Sequence, residues 1–115
     1  MLKLKRAYLP AEETDGYRVL VDRLWPRGKS KETEKFDLWL KEIAPSPELR
    51  KWFNHDSEKY SEFQVKYRQE LQSGPQKEAL EQLKEIMKQH PIVTLVYGAK
   101  NEAENNAQVL YEFLQ

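Results

Sequence analysis

The segment YRVLVDRLWPRG, residues 17–28, decides how this chain of 115 residues folds. Its apolar run Val19–Val21 is typical of a strand that is covered on both sides of a sheet. Pro26 lacks the amide hydrogen that a strand ladder needs, and Gly28 permits a backbone turn. The strand is therefore predicted to end inside the segment, where a carboxylate, two guanidinium groups and an indole are concentrated.

The flanking sequence predicts two further strands and a set of helices. Residues 1–8 alternate apolar and basic side chains, which indicates a half-exposed strand near a sheet edge. The β-branched run Ile92–Tyr97 predicts a buried strand that is parallel to the buried strand of Val19–Val21. Apolar residues at helical spacing predict helices over residues 36–43, 47–53, 58–72 and 75–90, and a last helix that is N-capped by Asn101.

This alternation of strands and helices predicts the fold class. We expect residues 1–115 to form a single α/β domain. Its sheet should be small and mainly parallel, with three to four strands and with helices on both faces. The long stretch between the two buried strands leaves ample room for a crossover connection.

Composition excludes several classes of function. The chain has 19 Lys and Arg against 19 Asp and Glu, which argues against non-specific binding to nucleic acid. It has no cysteine, so disulfides, thiolate nucleophiles and cysteine-based zinc sites are excluded. We predict no metal and no cofactor. No signal peptide and no membrane-spanning apolar run is evident, so the predicted location is cytoplasmic and away from the membrane.

The predicted ligand site lies beyond the carboxyl ends of the buried strands, where open α/β sheets bind their ligands. Two loops leave such ends, at residues 22–28 and 98–101. If the strands are neighbours, Arg23, Arg27 and Lys100 converge near the N-terminus of the last helix. Such a cluster suits phosphate, sulfate or a carboxylate, since arginine offers a planar fork to two oxygens.

Other candidate site residues have a structural interpretation beside the functional one. Trp25 would wall the pocket or stack on an arginine, and Gly28 belongs to the same ligand loop. Asn105, near the start of the last helix, would bond a ligand or remain solvated. His55 is the best candidate general acid or base because imidazole titrates near neutral pH, with Asp22 as the other catalytic candidate. The surroundings of His55 equally suit a turn between helices.

Arg18 is expected to serve a different part of the molecule. It opens the strand, about 16 Å from Arg23 along an extended chain. It is therefore assigned to the opposite end of the sheet.

The segments that follow resemble one protein family: residues 15–28, 37–46, 48–56, Phe63, Tyr67-Arg68, Thr94-Leu95, Ala99-Lys100 and 105–107. The chain resembles the short, YeaO-like branch of the domain of unknown function 488 family. The resemblance implies a compact α/β domain whose motif loops lie near one another, and it implies no particular activity. Longer relatives carry a Cys after the last strand and a Cys-His-Arg segment in the next helix. This chain differs there, so thiol and metal chemistry is not carried over.

Three hypotheses follow for function. In the first, the Asp22–Gly28 loop binds a small anionic, phosphate-bearing ligand, and the protein is a hydrolase or transferase if it is an enzyme. In the second, the Arg23–Lys31 loop, with four positive charges, is a non-catalytic interaction module for nucleic acid or an acidic protein. In the third, the Arg, Asp and Trp side chains form a structural network that ties the helices to the sheet.

Overall fold

The computed structural model describes all 115 residues and has four strands and five α-helices. The strands are β1 (Leu2–Arg6), β2 (Tyr17–Leu20), β3 (Leu38–Trp39) and β4 (Val93–Tyr97). The helices are α1 (Lys31–Glu34), α2 (Pro47–Phe53), α3 (Tyr60–Glu70), α4 (Gly74–Gln89) and α5 (Asn106–Phe113). The predicted α/β class is confirmed.

The four strands form one parallel sheet in the order β1-β4-β2-β3. The two buried strands are neighbours, with Tyr17 paired with Val93 and Leu20 with Val96. The predicted edge position of β1 is also confirmed. Because parallel strands end at the same edge of a sheet, the loops that follow β2 and β4 lie side by side.

The two faces of the sheet are covered differently. Val19 and Leu95 face one large apolar cluster, which also takes in buried side chains of helices α2 to α5. Arg18 and Lys5 face the opposite side, beneath the segment 7–16 and the segment 22–37 that contains α1. Helices therefore lie on both faces, but only the four-residue α1 lies on the second one.

Aromatic packing joins α2 to α3 inside the apolar cluster. The rings of Phe53 and Phe63 stack with centroids 4.1 Å apart. The fully buried Tyr67 donates its hydroxyl to the carbonyl of Ile43 at 2.5 Å. Ser46 caps α2 through its hydroxyl oxygen, which accepts from the amide of Leu49. These contacts hold the loops on either side of α2 against the sheet.

The predicted helix over residues 36–43 is wrong. Leu38 and Trp39 form strand β3, and Leu40 donates its amide hydrogen to the carbonyl of Leu20 at 2.9 Å. A short 3-10 turn, Lys41–Ile43, follows. A short apolar run cannot separate helix from strand by spacing alone, and pairing with the exposed edge of β2 decided the outcome.

The predicted start of the last helix is also wrong. Helix α5 begins at Asn106, and its N-cap is Asn105, whose side-chain oxygen accepts from the amide of Gln108 at 2.8 Å. Asn101 instead caps an isolated turn by accepting from the amides of Ala103 and Glu104. Both asparagines are good N-caps, so local sequence does not choose between them.

Candidate functional site

A cleft of about 670 Å³ opens at the carboxyl ends of β2 and β4. This size falls within the range of small-molecule sites, roughly 300–1,000 Å³. Its walls come from the loops after β2 and β4, the start of α5, and α2 with the turns around it. The charged and polar side chains of the lining include Asp22, Arg23, Arg50, Lys51, His55 and Asn106.

Asp22 is the only carboxylate in the lining. One carboxylate oxygen accepts from the amide of Gly98 at 2.8 Å, and the other accepts from the side-chain amide of Asn106 at 3.2 Å. Asp22 takes part in none of the ion pairs of the protein. Burial raises the pKa of Asp22 above its ordinary value, and its two hydrogen bonds and the charges of Arg50 and His55 offset only part of that effect.

Arg23 lines the cleft but is held by the protein itself. Its guanidinium donates to the carbonyls of Pro45 and Ala44, each at 3.3 Å. One nitrogen also lies 3.6 Å from a carboxylate oxygen of Glu42. Arg23 therefore ties the loop after β2 to the turn after β3, which is the structural role considered in the third hypothesis.

His55 lies on the cleft side of the molecule, at the rim, and is exposed. Asn54 and His55 both have left-handed backbone conformations, with φ of 46° and 56°. Asn54 is the C-cap of α2, a position where asparagine commonly takes this conformation. The imidazole is accessible to a ligand in the cleft, and its catalytic role stays a prediction.

Arg50 and Lys51 are the cleft residues that sequence reasoning missed. Both are exposed in the second half of α2, and neither forms an ion pair or a side-chain hydrogen bond. Sequence reasoning placed them off the apolar stripe of α2, which predicts an exposed face. It did not predict that this face borders the ends of β2 and β4.

Four predicted ligand residues lie outside the cleft lining. Trp25 packs edge-on against Phe36 and Trp39 and donates its indole hydrogen to the carbonyl of Lys29 at 2.7 Å. The other three, all exposed, are Arg27, Gly28 and Lys100. The predicted convergence of Arg23, Arg27 and Lys100 is therefore not observed.

The two asparagines at the start of α5 differ in their surroundings. Asn105 is 2% exposed, and its side chain is occupied by the helix cap and by a bond to the carbonyl of Asn101. Asn106 donates to the carbonyl of Val21 and to Asp22, both at 3.2 Å. Asn106 thereby fixes the start of α5 beside the end of β2.

Arg18 lies outside the cleft, as predicted. It forms a buried ion pair of 2.6 Å with Asp15 and donates to the carbonyl of Glu34 at 2.9 Å. Lys5 lies 3.0 Å from Asp15 on the same face of the sheet. Burial opposes the ionisation of Asp15, yet hydrogen bonds from the Glu12 amide, Lys5 and Arg18 hold its pKa below the ordinary value.

No group of three or more His, Asp or Glu side chains is placed to hold a metal ion. None of the helices combines the length and the apolar character that crossing a bilayer requires.

The fold and the cleft define a small α/β protein with a parallel sheet and a polar cleft at the carboxyl ends of its central strands. Its residues 1–115 match the family model described as "Inactive DUF488-N3 subclade". The chain belongs to this branch of the domain of unknown function 488 family, as its sequence motifs indicated.

Two bacterial relatives illustrate the similarity. The chain is 46% identical over 114 residues to "Uncharacterized protein YeaO" of Escherichia coli, covering 99% of this chain and 96% of the relative. It is 36% identical over 113 residues to "Uncharacterized protein Mb3100c" of Mycobacterium bovis, covering 98% and 92%. No solved structure gives a significant match.

Proposed function

We propose that the cleft binds a small anionic ligand, such as one that bears a phosphate group. The observation that carries the proposal is the imbalance of charge among the lining residues. Arg50 and Lys51 contribute two positive charges without an ion-pair partner, and Arg23 contributes a third that Glu42 partly compensates, whereas Asp22 contributes the single carboxylate. A positive cleft attracts an anion and raises its local concentration.

Arg50 is the main anion contact in this proposal. Its guanidinium has no partner within the protein, so binding an anion would break no existing bond. A guanidinium can donate two parallel hydrogen bonds to phosphate or carboxylate oxygens. Lys51 and His55 lie beside it on the rim and would add donors.

Binding without turnover is favoured over catalysis. The lining contains no Ser, Thr, Cys or Tyr that would serve as a nucleophile, and Asp22 is its one carboxylate. The description of the matching family model also names an inactive subclade. A hydrolase or transferase would have to rely on His55 and Asp22 alone for acid and base.

The alternative, an interaction module at the Arg23–Lys31 loop, has weaker support. Arg23 is turned toward backbone carbonyls, and the ammonium of Lys29 lies 4.0 Å from Glu34. Only Arg27 and Lys31 remain exposed and unpaired. Two separated charges provide a much smaller footprint than nucleic-acid binding normally requires.

Titration calorimetry with inorganic phosphate at low ionic strength tests the proposal, because salt screens exposed charges. The wild-type protein should bind phosphate, and Arg50→Gln should weaken binding by about tenfold, the typical value of one charged hydrogen bond. Arg27→Gln, an exposed arginine outside the cleft, is the matched control and should leave binding unchanged.

Two results would contradict this function. Absence of phosphate binding in the wild type at millimolar concentration would remove the anion site. Loss of binding in Arg27→Gln but not in Arg50→Gln would move the site to the loop after β2 and favour the alternative.

A further inference from the structure

We propose that Asp22 selects ligands whose carbon skeleton carries hydroxyl groups, so that the anion bound in the cleft is a phosphorylated polyol, the chemistry of a sugar phosphate. This inference rests on the proposed anion-binding function and names the class of its ligand. Asp22 is half-buried in the cleft lining and the cations Arg50 and Lys51 are exposed in it, so one ligand would have to satisfy both.

Asp22 has hydrogen-bonding capacity that the protein does not use. An ionised carboxylate offers about four lone-pair sites. The amide of Gly98 and the side chain of Asn106 occupy one site on each oxygen. Burial of the Asp22 carboxylate costs free energy that no cationic partner offsets. A hydrogen-bond donor from a ligand would therefore stabilise this carboxylate.

A second acceptor lies next to Asp22. Asn106 uses its amide nitrogen to donate to Val21 and Asp22, which leaves its amide oxygen without a donor from the protein. Asn106 also lines the cleft. Two neighbouring acceptors match two neighbouring hydroxyl groups better than they match a single donor.

The charge of the cleft distinguishes a hydroxyl group from an ammonium group. Both can donate to Asp22, but Arg23, Arg50 and Lys51 would repel a cationic ligand. The neutral donor is therefore preferred, and a hydroxyl group is the simplest one.

The apolar part of the lining and the cleft volume agree with a ligand larger than phosphate. Leu24, Pro47 and Phe53 line the cleft between polar groups and would contact carbon atoms. A cleft of about 670 Å³ exceeds what an isolated oxyanion fills. The carbon skeleton of a small sugar would occupy the remainder.

Calorimetry on the wild-type protein with inorganic phosphate, ribose 5-phosphate and adenosine 5′-monophosphate tests the inference. Ribose 5-phosphate should bind at least about tenfold more tightly than inorganic phosphate, the effect of one hydrogen bond to a charged group. Adenosine monophosphate contains the same ribose 5-phosphate unit, with two neighbouring hydroxyl groups. Its binding would be tighter than that of ribose 5-phosphate if the source is a nucleotide, and weaker if it is a free sugar phosphate.

The variant Asp22→Asn provides a second test with opposite effects on two ligands. Because a negative charge is removed, inorganic phosphate should bind as well as before or better. Because the acceptor is weakened, the preference for ribose 5-phosphate should fall to about twofold or less. Arg27→Gln should retain the wild-type preference.

The outcomes separate the two proposals. If no phosphate compound binds, the anion-binding function itself fails. If inorganic phosphate and ribose 5-phosphate bind the wild type equally, only the role of Asp22 as a selector of hydroxyl groups is overturned. The wild-type comparison can overturn the role of Asp22 even if Asp22→Asn does not fold, and a tenfold preference that is retained in folded Asp22→Asn would overturn it as well.

Discussion

Asp15 and Asp22 flank the same strand, β2, and have opposite electrostatic environments. Asp15 lies within 3.0 Å of both an arginine and a lysine nitrogen, and these partners lower its pKa. Asp22 has only neutral donors as direct partners, and burial raises its pKa. Both carboxylates are largely withdrawn from water, so the difference comes from their partners.

The comparison separates a structural carboxylate from a candidate functional one. The charge of Asp15 is compensated within the fold, beneath one layer of chain on the face of the sheet away from helices α2 to α5. The charge of Asp22 is left for whatever enters the cleft. Titratable groups that lack a charged protein partner and face a cleft are candidates for ligand contacts.

The largest effect should come from Arg18→Met, which removes the central cation of the Asp15 network. Asp15 and Glu34 would then be buried with less compensation, and the free energy of unfolding should fall by about 3 kcal/mol. The figure is at the low end for buried pairs because Lys5 still compensates Asp15 after Arg18 is removed. Urea unfolding measures the change.

A matched control for Arg18→Met is Lys66→Met, which breaks the exposed pair with Glu62 at 3.2 Å. Exposed pairs contribute little, so a loss below about 1 kcal/mol is expected. Equal losses in the two variants would show that the Asp15 network is no more stabilising than a surface pair.

The next largest difference should be in the loss of stability when the glycines beside the two carboxylates are replaced by alanine. Gly16 has a φ of 65°, and a Cβ there would lie 2.4 Å from the carbonyl oxygen of Ile92. At Gly98 the same atom would lie 3.3 Å from a carboxylate oxygen of Asp22. Gly16→Ala should cost about 2 kcal/mol of stability and Gly98→Ala less than about 1 kcal/mol.

Thermal unfolding of both glycine variants at one pH compares them directly. A larger loss for Gly98→Ala would mean that the end of β4 is packed more rigidly against Asp22 than Gly16 is against Ile92. In that case the cleft floor, not the turn before β2, would be the less tolerant region.

The smallest effects concern pH, and their signs are opposite. The pKa of Asp15 is lower in the folded state than its unfolded value of about 3.8. The ionised carboxylate therefore stabilises the fold at pH values above 3.8, and this stabilisation is lost as the pH falls through the folded pKa. Because the folded pKa of Asp22 is raised, its charge destabilises the fold at neutral pH, and this cost disappears as pH falls through the folded value.

Asparagine substitutions reveal both signs in unfolding measured from pH 7 to pH 3. At pH 7, Asp15→Asn should be less stable than wild type, whereas Asp22→Asn should equal or exceed it by up to about 1 kcal/mol. Each difference should shrink toward pH 3. A clear loss of stability in Asp22→Asn at pH 7 would indicate that its carboxylate is structurally compensated after all.

Much of the fold could be predicted because it follows from local patterns. The apolar run of β2, the β-branched run of β4 and the apolar stripes of α3 and α4 each define an element within a short length of chain. The errors fell where local signals were ambiguous. Residues 36–43 fit either period, and Asn101 and Asn105 are equally good caps.

The candidate site was predicted in part for the same reason. Four predicted residues line the cleft: Asp22, Arg23, His55 and Asn105. Asp22 and Arg23 follow the carboxyl end of β2, and Asn105 follows that of β4, where α/β sheets bind ligands. Arg27 and Lys100 do not line the cleft, since the chain turns away from the sheet before it reaches them. Arg50 and Lys51 were missed because their position depends on where α2 packs.

The sequence by itself determined the parallel α/β class, the burial of the strands β2 and β4 and the separation of Arg18 from the loop that follows Asp22. These depend on periodicity and on the alternation of side chains along a strand. Only the tertiary structure decided which charges are compensated. Asp15 and Asp22 are the same residue type near one strand, but their partners differ. Lys5 pairs with Asp15, whereas Gly98 and Asn106, which are distant from Asp22 in the chain, donate hydrogen bonds to Asp22.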